Sequence, residues 1–114
     1  MLVVDNLIYE GFSVPSTLGI LVTSDRHLDY VINVTETAHK KGMKVKIYFT
    51  GTAVRLTDSL GFSRLAEKAS LAVCDRSFLS LGLADHSCGM NPDIFESQAK
   101  HADIMRECER YLVF

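Results

Sequence analysis

Three short apolar runs, spaced by segments of helical period, constrain this chain more than any other feature. They are Leu18-Gly19-Ile20-Leu21-Val22-Thr23, Val45-Lys46-Ile47-Tyr48-Phe49-Thr50 and Ala69-Ser70-Leu71-Ala72-Val73. The first is continuously apolar, the pattern of a strand covered on both faces. Between the first two runs, Leu28, Val31, Ile32, Thr35 and Ala38 recur at helical spacing and form one apolar stripe. Ser24-Asp25 ahead of that stripe supplies capping oxygens, and Lys40-Lys41 followed by Gly42 stops it, as cations and a glycine do at a helix end. Gly51-Thr52 turns the second run into a short helical stretch. The polar break Thr57-Asp58-Ser59 with Gly61 then precedes a helix near residues 63–68.

After the third run, Asp75-Arg76-Ser77-Phe78-Leu79 reads as helix, with Phe78, Leu79, Leu81 and Leu83 as its buried face until Gly82 weakens it. Residues 84–90 are polar and predict a loop. Asn91-Pro92 is a helix start, and Phe95, Ala99, Ala102 and Met105 follow at helical spacing. Tyr111-Leu112-Val113-Phe114 predicts a last strand. Strands alternating with helices of this length specify βαβ units joined by right-handed crossovers. The expected fold is therefore α/β, a small three-layer domain with a mostly parallel sheet of four to five strands. Residues 18–114 form that domain. Residues 1–17 form an N-terminal arm or a hairpin around Asp5-Asn6, with Leu2-Val3-Val4 and Leu7-Ile8-Tyr9 as its apolar sides.

Composition removes several function classes. At 114 residues, 47% of them hydrophobic, the chain is long enough for a real core and short for a complete independent enzyme. Twelve basic against fourteen acidic residues leave no basic stripe, so nucleic acid is not expected as a partner. No apolar run approaches the ~18–20 residues that span a bilayer. The first residues lack the charged and apolar regions of a secretory signal. Three cysteines at irregular spacing fit free thiols in a reducing compartment, so the cytoplasm is expected.

Cys74 stands where the third apolar run meets the next helix. Ligands gather at the carboxyl edge of such sheets, and a helix start favours thiolate over thiol. Arg76 adds a cation two residues on, whereas Asp75 opposes the shift if it points inward. The alternative is a small buried hydrophobe, since free cysteine is among the most buried residue types. Cys88, in the Ser87-Cys88-Gly89 loop, reads either as a loop residue without a task or as a second thiol meeting Cys74 across the sheet edge. Cys108 reads as packing. His27, His39 and His101 read as solvated or capping residues, and the spacings of Cys74, His86 and Cys88 match no structural zinc site.

The segments after the first two strands, Ser24-Asp25-Arg26-His27 and Thr50-Gly51-Thr52, occupy the edge where flavodoxin-like proteins cradle phosphate. They carry no glycine-rich phosphate loop. Ser24, Asp25, Thr50, Gly51 and Arg76 are therefore taken as substrate-binding candidates around Cys74. A hydrolase reading lacks the Gly-x-Ser-x-Gly elbow.

Leu71-Ala72-Val73-Cys74 with the following helix and Leu81-Gly82-Leu83 resembles the active-cysteine region of the DsrE/DsrF-like family, which includes the TusD-type sulfur-relay proteins. The opening strand from Gly19 to Ser24, the Gly42-Met43-Lys44-Val45 join and the closing Tyr111–Phe114 fit the same layout over roughly residues 18 to 114. The sequence departs from that family's pattern where Leu81, not a basic residue, precedes Gly82, and in its first 17 residues. The resemblance implies a flavodoxin-like/DsrE-like fold and a sulfur carrier or sulfurtransferase-like protein. It implies that Cys74 accepts sulfane sulfur as a persulfide, with Cys88 as auxiliary thiol, and that no cofactor is used. It also implies sulfur donor and acceptor proteins as partners, in a homo-oligomer (trimer or hexamer) or a hetero-oligomer of related subunits. Two other readings remain beside it: a non-catalytic oligomeric module that binds a ligand or partner, and a Cys74/Cys88 thiol redox sensor.

Overall fold

The computed structural model describes residues 16–83, 94–96 and 98–114. Along the chain run β1 (Thr17–Val22), α1 (Leu28–Lys40), β2 (Lys44–Phe49), a 3-10 helix (Gly51–Asp58), α2 (Leu60–Ala66) and β3 (Ser70–Cys74). They are followed by α3 (Asp75–Ser80), the two-residue β4 (Phe95–Glu96), α4 (Gln98–Glu107) and β5 (Arg110–Val113). Among the described residues the strands form one sheet in the order β4-β3-β2-β1-β5, and every pairing is parallel. The α/β fold with a flavodoxin-like three-layer arrangement is thus the one that the alternating pattern predicts.

Side-chain alternation along the strands splits the interior in two. Leu18, Ile20, Val22, Val45, Ile47, Phe49 and Val73 face one side, where they pack with Val31 and Ala38 of α1, Ala53 and Val54 of the 3-10 helix, Phe62 and Leu65 of α2, and Phe78 of α3. Each large aliphatic side chain buried there contributes about 1.5–3 kcal/mol. Tyr48, Ala72 and Cys74 face the other side and pack with Ile104 of α4. This two-sided burial follows from strand order. Successive crossovers from β1 to β4 advance in one direction and keep their helices on one face. The return from β4 past three strands to β5 reverses direction and puts α4 on the other face.

Several local expectations need correction. His27 is the N-cap of α1 and makes no side-chain cap bond. Ser24 instead accepts a hydrogen bond from the Arg26 N–H at 3.2 Å, a local turn, so Ser24-Asp25 does not cap the helix. Gly61 lies inside α2, which begins one residue after its Ser59 cap. A Cβ at Gly61 would stand 2.8 Å from a Leu28 methyl carbon, so the glycine permits close approach of α2 to α1. Leu79 is 65% exposed, because α3 ends at Ser80 with Gly82 at φ +71° and is too short to turn a second apolar row inward. Phe95 belongs to a strand, not to the last helix, and stacks edge-on against Phe78 at 4.8 Å between ring centroids. Ala102 is exposed, and among the described side chains of α4 Ile104 is the buried one. Cys88, the loop expected over 84–90, the helix start expected at Asn91-Pro92 and the arm as far as residue 15 lie outside the described residues, as do the side chains of Ala99, His101 and Met105.

The stripe on α1 does match: Val31, Thr35 and Ala38 are buried, and the helix closes on Lys41 with Gly42 at φ +82°. Glu36 on its outer side meets Lys68 at 3.2 Å and Arg64 at 3.5 Å. The Lys68 hydrogen bond holds this carboxyl below its usual range. Thr35 has one defect, because its Oγ1 is buried without a hydrogen-bond partner. An unsatisfied buried hydroxyl costs roughly 1–3 kcal/mol, and an isosteric apolar group removes that cost. Thr35→Val is therefore expected to stabilise the protein by about 1 kcal/mol, seen as a higher urea midpoint with unchanged slope.

Candidate functional site

β3 passes directly into α3, with Cys74 as the joint. Its backbone is extended at φ −65°, ψ 115°, and it serves as the N-cap of the helix. A cap side chain reaches the N–H groups of the first turn, and here the Ser77 N–H donates to Cys74 Sγ at 3.4 Å. Cys74 pairs with Glu96 of β4 on its other flank and is only 1% exposed.

The hydroxyl of Ser77 sits in the same place. Its Oγ accepts the Gly51 N–H at 3.1 Å and lies 3.3 Å from Thr50 Oγ1. Thr50 and Gly51 are there because β2 ends beside β3, with Phe49 in register with Val73. Gly51 has φ +59°, and a Cβ on it would stand 2.9 Å from the Thr23 carbonyl oxygen. The turn out of β2 thus presses against the end of β1, and glycine is the residue that tolerates both constraints. Tyr48, two residues earlier on the Cys74 face, is fully buried.

These groups determine the ionisation of the thiol. Burial pushes Cys74 up, but hydrogen bonds from the Ser77 side chain and N–H, from Tyr48 and from Thr50 outweigh it. The net effect lowers the thiol from its ordinary 9.0 to about 7. Donors that converge on one sulfur stabilise the anion over the thiol, since a thiol is a weak acceptor and a thiolate a strong one. Cys108, just past α4, is the opposite case. Burial raises its thiol, and Lys46 offsets this in part. A Cβ at Gly19 would stand 2.9 Å from its Sγ, which marks Cys108 as packing. Chemically, the arrangement can serve as a nucleophilic thiol, because the donors around Cys74 Sγ favour the thiolate over the thiol.

The predicted companions of Cys74 divide sharply. Thr50 and Gly51 belong to its network. Ser24 and Asp25 follow β1 and are engaged in their own turn, with Asp25 exposed. Arg76 and Asp75 are both exposed; the lowered ionisation of Cys74 is accounted for by hydrogen bonds, not by the Arg76 cation. Sequence reasoning missed Ser77 and Tyr48. The signals were a serine one turn after the cap and a polar ring inside a buried strand, where a tyrosine hydroxyl needs a partner.

The site lies away from the topological switch of the sheet. Strand order reverses between β1 and β5, the crevice where open α/β sheets usually bind ligands. There the Thr23 N–H and hydroxyl both donate to the Phe114 carbonyl oxygen, at 2.7 Å and 3.0 Å. In comparisons with known proteins, no protein-family model matches the chain and no curated protein matches it. Among the described residues, no helix is long and apolar enough to cross a membrane.

Proposed function

We propose that this chain is a sulfur carrier or sulfurtransferase-like protein of the DsrE/DsrF-like kind, working in the cytoplasm. Cys74 accepts sulfane sulfur as a persulfide and passes it to a thiol of a protein partner. The observation that carries this reading is the convergence of Ser77, Thr50 and Tyr48 on Cys74 Sγ, which brings the thiol to about 7. Sulfur exchange proceeds through the thiolate and is fastest when the attacking thiol titrates near ambient pH. The surroundings suit the product too, because an occluded edge keeps a persulfide from bulk water. Association into a homo-oligomer or with related subunits belongs to this proposal, as do the sulfur donor and acceptor.

Incubating the protein with a persulfide donor tests it by mass spectrometry. The wild type is expected to gain one sulfur atom on the Cys74 peptide, and Cys74→Ser to gain none there. Absence of the adduct on Cys74 with every donor tried would overturn the proposal.

A second reading has an observation of its own. Cys74 caps α3 and is almost wholly occluded, as a structural cysteine would be. In that reading the chain is a non-catalytic module that binds a ligand or partner, and Cys74→Ser, which preserves a capping atom, leaves its binding unchanged.

A further inference from the structure

We infer that Gly51 is a positioning residue for Cys74, whose N–H holds the Ser77 oxygen so that the Ser77 proton is left for the sulfur. The inference rests on the reading of Cys74 as a reactive thiol and names the backbone group that tunes it.

Three contacts meet at Ser77. Its N–H donates to Cys74 Sγ at 3.4 Å, its Oγ accepts the Gly51 N–H at 3.1 Å, and Thr50 Oγ1 lies 3.3 Å from the same oxygen. A hydroxyl has one proton and two lone pairs. The Gly51 N–H takes one lone pair, so the Ser77 proton is turned away from Gly51. The acceptors in reach are Thr50 Oγ1 and Cys74 Sγ, and a thiolate is the stronger of the two. An N–H that donates into a hydroxyl also polarises it and strengthens the bond that the hydroxyl gives onward.

The backbone explains why this N–H points at Ser77. Gly51 is the first residue of the 3-10 helix, and the first N–H groups of a helix find no partner within it. The Thr50 N–H donates to the Val22 carbonyl oxygen at 2.9 Å, which ties the turn to the end of β1. Gly51 itself has φ +59°, and the Thr23 carbonyl oxygen stands 2.9 Å from where a Cβ would be. A residue without a side chain keeps both the conformation and the contact. The end of β1 thereby sets the direction of an N–H that acts, through Ser77, on a sulfur at the end of β3.

Replacing Gly51 by glycolic acid in the full chain tests this, because the backbone ester removes the N–H and adds no Cβ. The pH midpoint for alkylation of the Cys74 peptide is read by mass spectrometry, with the ester alone and combined with Ser77→Ala. The ester alone is expected to raise the midpoint by about half a pH unit, roughly a threefold loss of thiolate below the midpoint. In Ser77→Ala it should add nothing further, since two changes on one route are not additive. Gly51→Ala, whose methyl group meets the Thr23 carbonyl, is expected to raise the midpoint by about one unit. A midpoint unmoved by the ester, or an equal rise with and without the Ser77 hydroxyl, would overturn the inference and leave the reactive thiol in place. A wild-type midpoint at the ordinary 9.0 would remove the reactive-thiol reading, and this inference with it.

Discussion

Replacing Ser77 with alanine is expected to raise the titration midpoint of Cys74 by about one to two pH units, the effect of one hydrogen bond to a charged group. The Ser77 hydroxyl is among the groups that lower the thiol, and its own oxygen is fixed by the Gly51 N–H. Alanine removes the hydroxyl and keeps the backbone N–H that caps α3. At pH 7 the thiolate fraction should fall from about one half to about one tenth or less. Ultraviolet thiolate absorbance, read in a background with Cys88 and Cys108 replaced by alanine, measures this directly. Ser77→Thr restores a hydroxyl and should return most of the shift. A midpoint unmoved in Ser77→Ala would mean that the hydroxyl plays no part.

The same ionisation makes stability depend on pH. The folded-state thiol titrates near 7 and its ordinary value is 9.0, so the pKa is depressed on folding. Between these values the unfolded chain binds more protons, and stability rises with pH. The contribution is absent below pH 7, grows from 7 to 9, and is full above 9. It amounts to about 2 kcal/mol at pH 9 and approaches two units at ~1.4 kcal/mol each above that. Denaturant unfolding of the wild type and Cys74→Ser at pH 6.5 and pH 9 isolates it, since Cys108 and Tyr111, whose ionisation burial opposes, titrate in both proteins. The stability difference should widen by about 2 kcal/mol at the higher pH. A difference that stays constant would contradict the depressed thiol.

The legible part of the fold was whatever burial writes into periodicity. The runs at 18–23, 45–50 and 69–73 became β1, β2 and β3 within a residue or so, because a strand covered on both faces has to be apolar throughout. Gly42 and Gly82 marked helix ends, as the positive φ at each requires. Errors arose where tertiary contact overrode local pattern. Gly61 read as a break because its local propensity is poor, but its purpose is contact with Leu28 and Ile32. Phe95 sat at helical spacing by coincidence and is held in a two-residue strand by β3 and by the Phe78 ring.

The site was legible at its centre and less so around it. The strand-to-helix joint exposed Cys74, and the end of the neighbouring strand gave Thr50 and Gly51. Charge led the rest astray. Arg76 is adjacent in sequence, yet the second residue of a short helix points to solvent there. The residues that act on the sulfur are neutral donors, Ser77 and Tyr48, whose relevance depends on strand register and on the reach of a cap side chain. Neither carries a sequence signature of its own.

The central claim is that Cys74 is an acidified thiol, and its alkylation as a function of pH tests this most directly. The wild-type protein is treated with a small alkylating reagent across the pH range, and modification of the Cys74 peptide is quantified by mass spectrometry. The rate should rise to half its plateau near pH 7. A half-point at or above the ordinary 9.0 would contradict the account and leave Cys74 as the cap of α3.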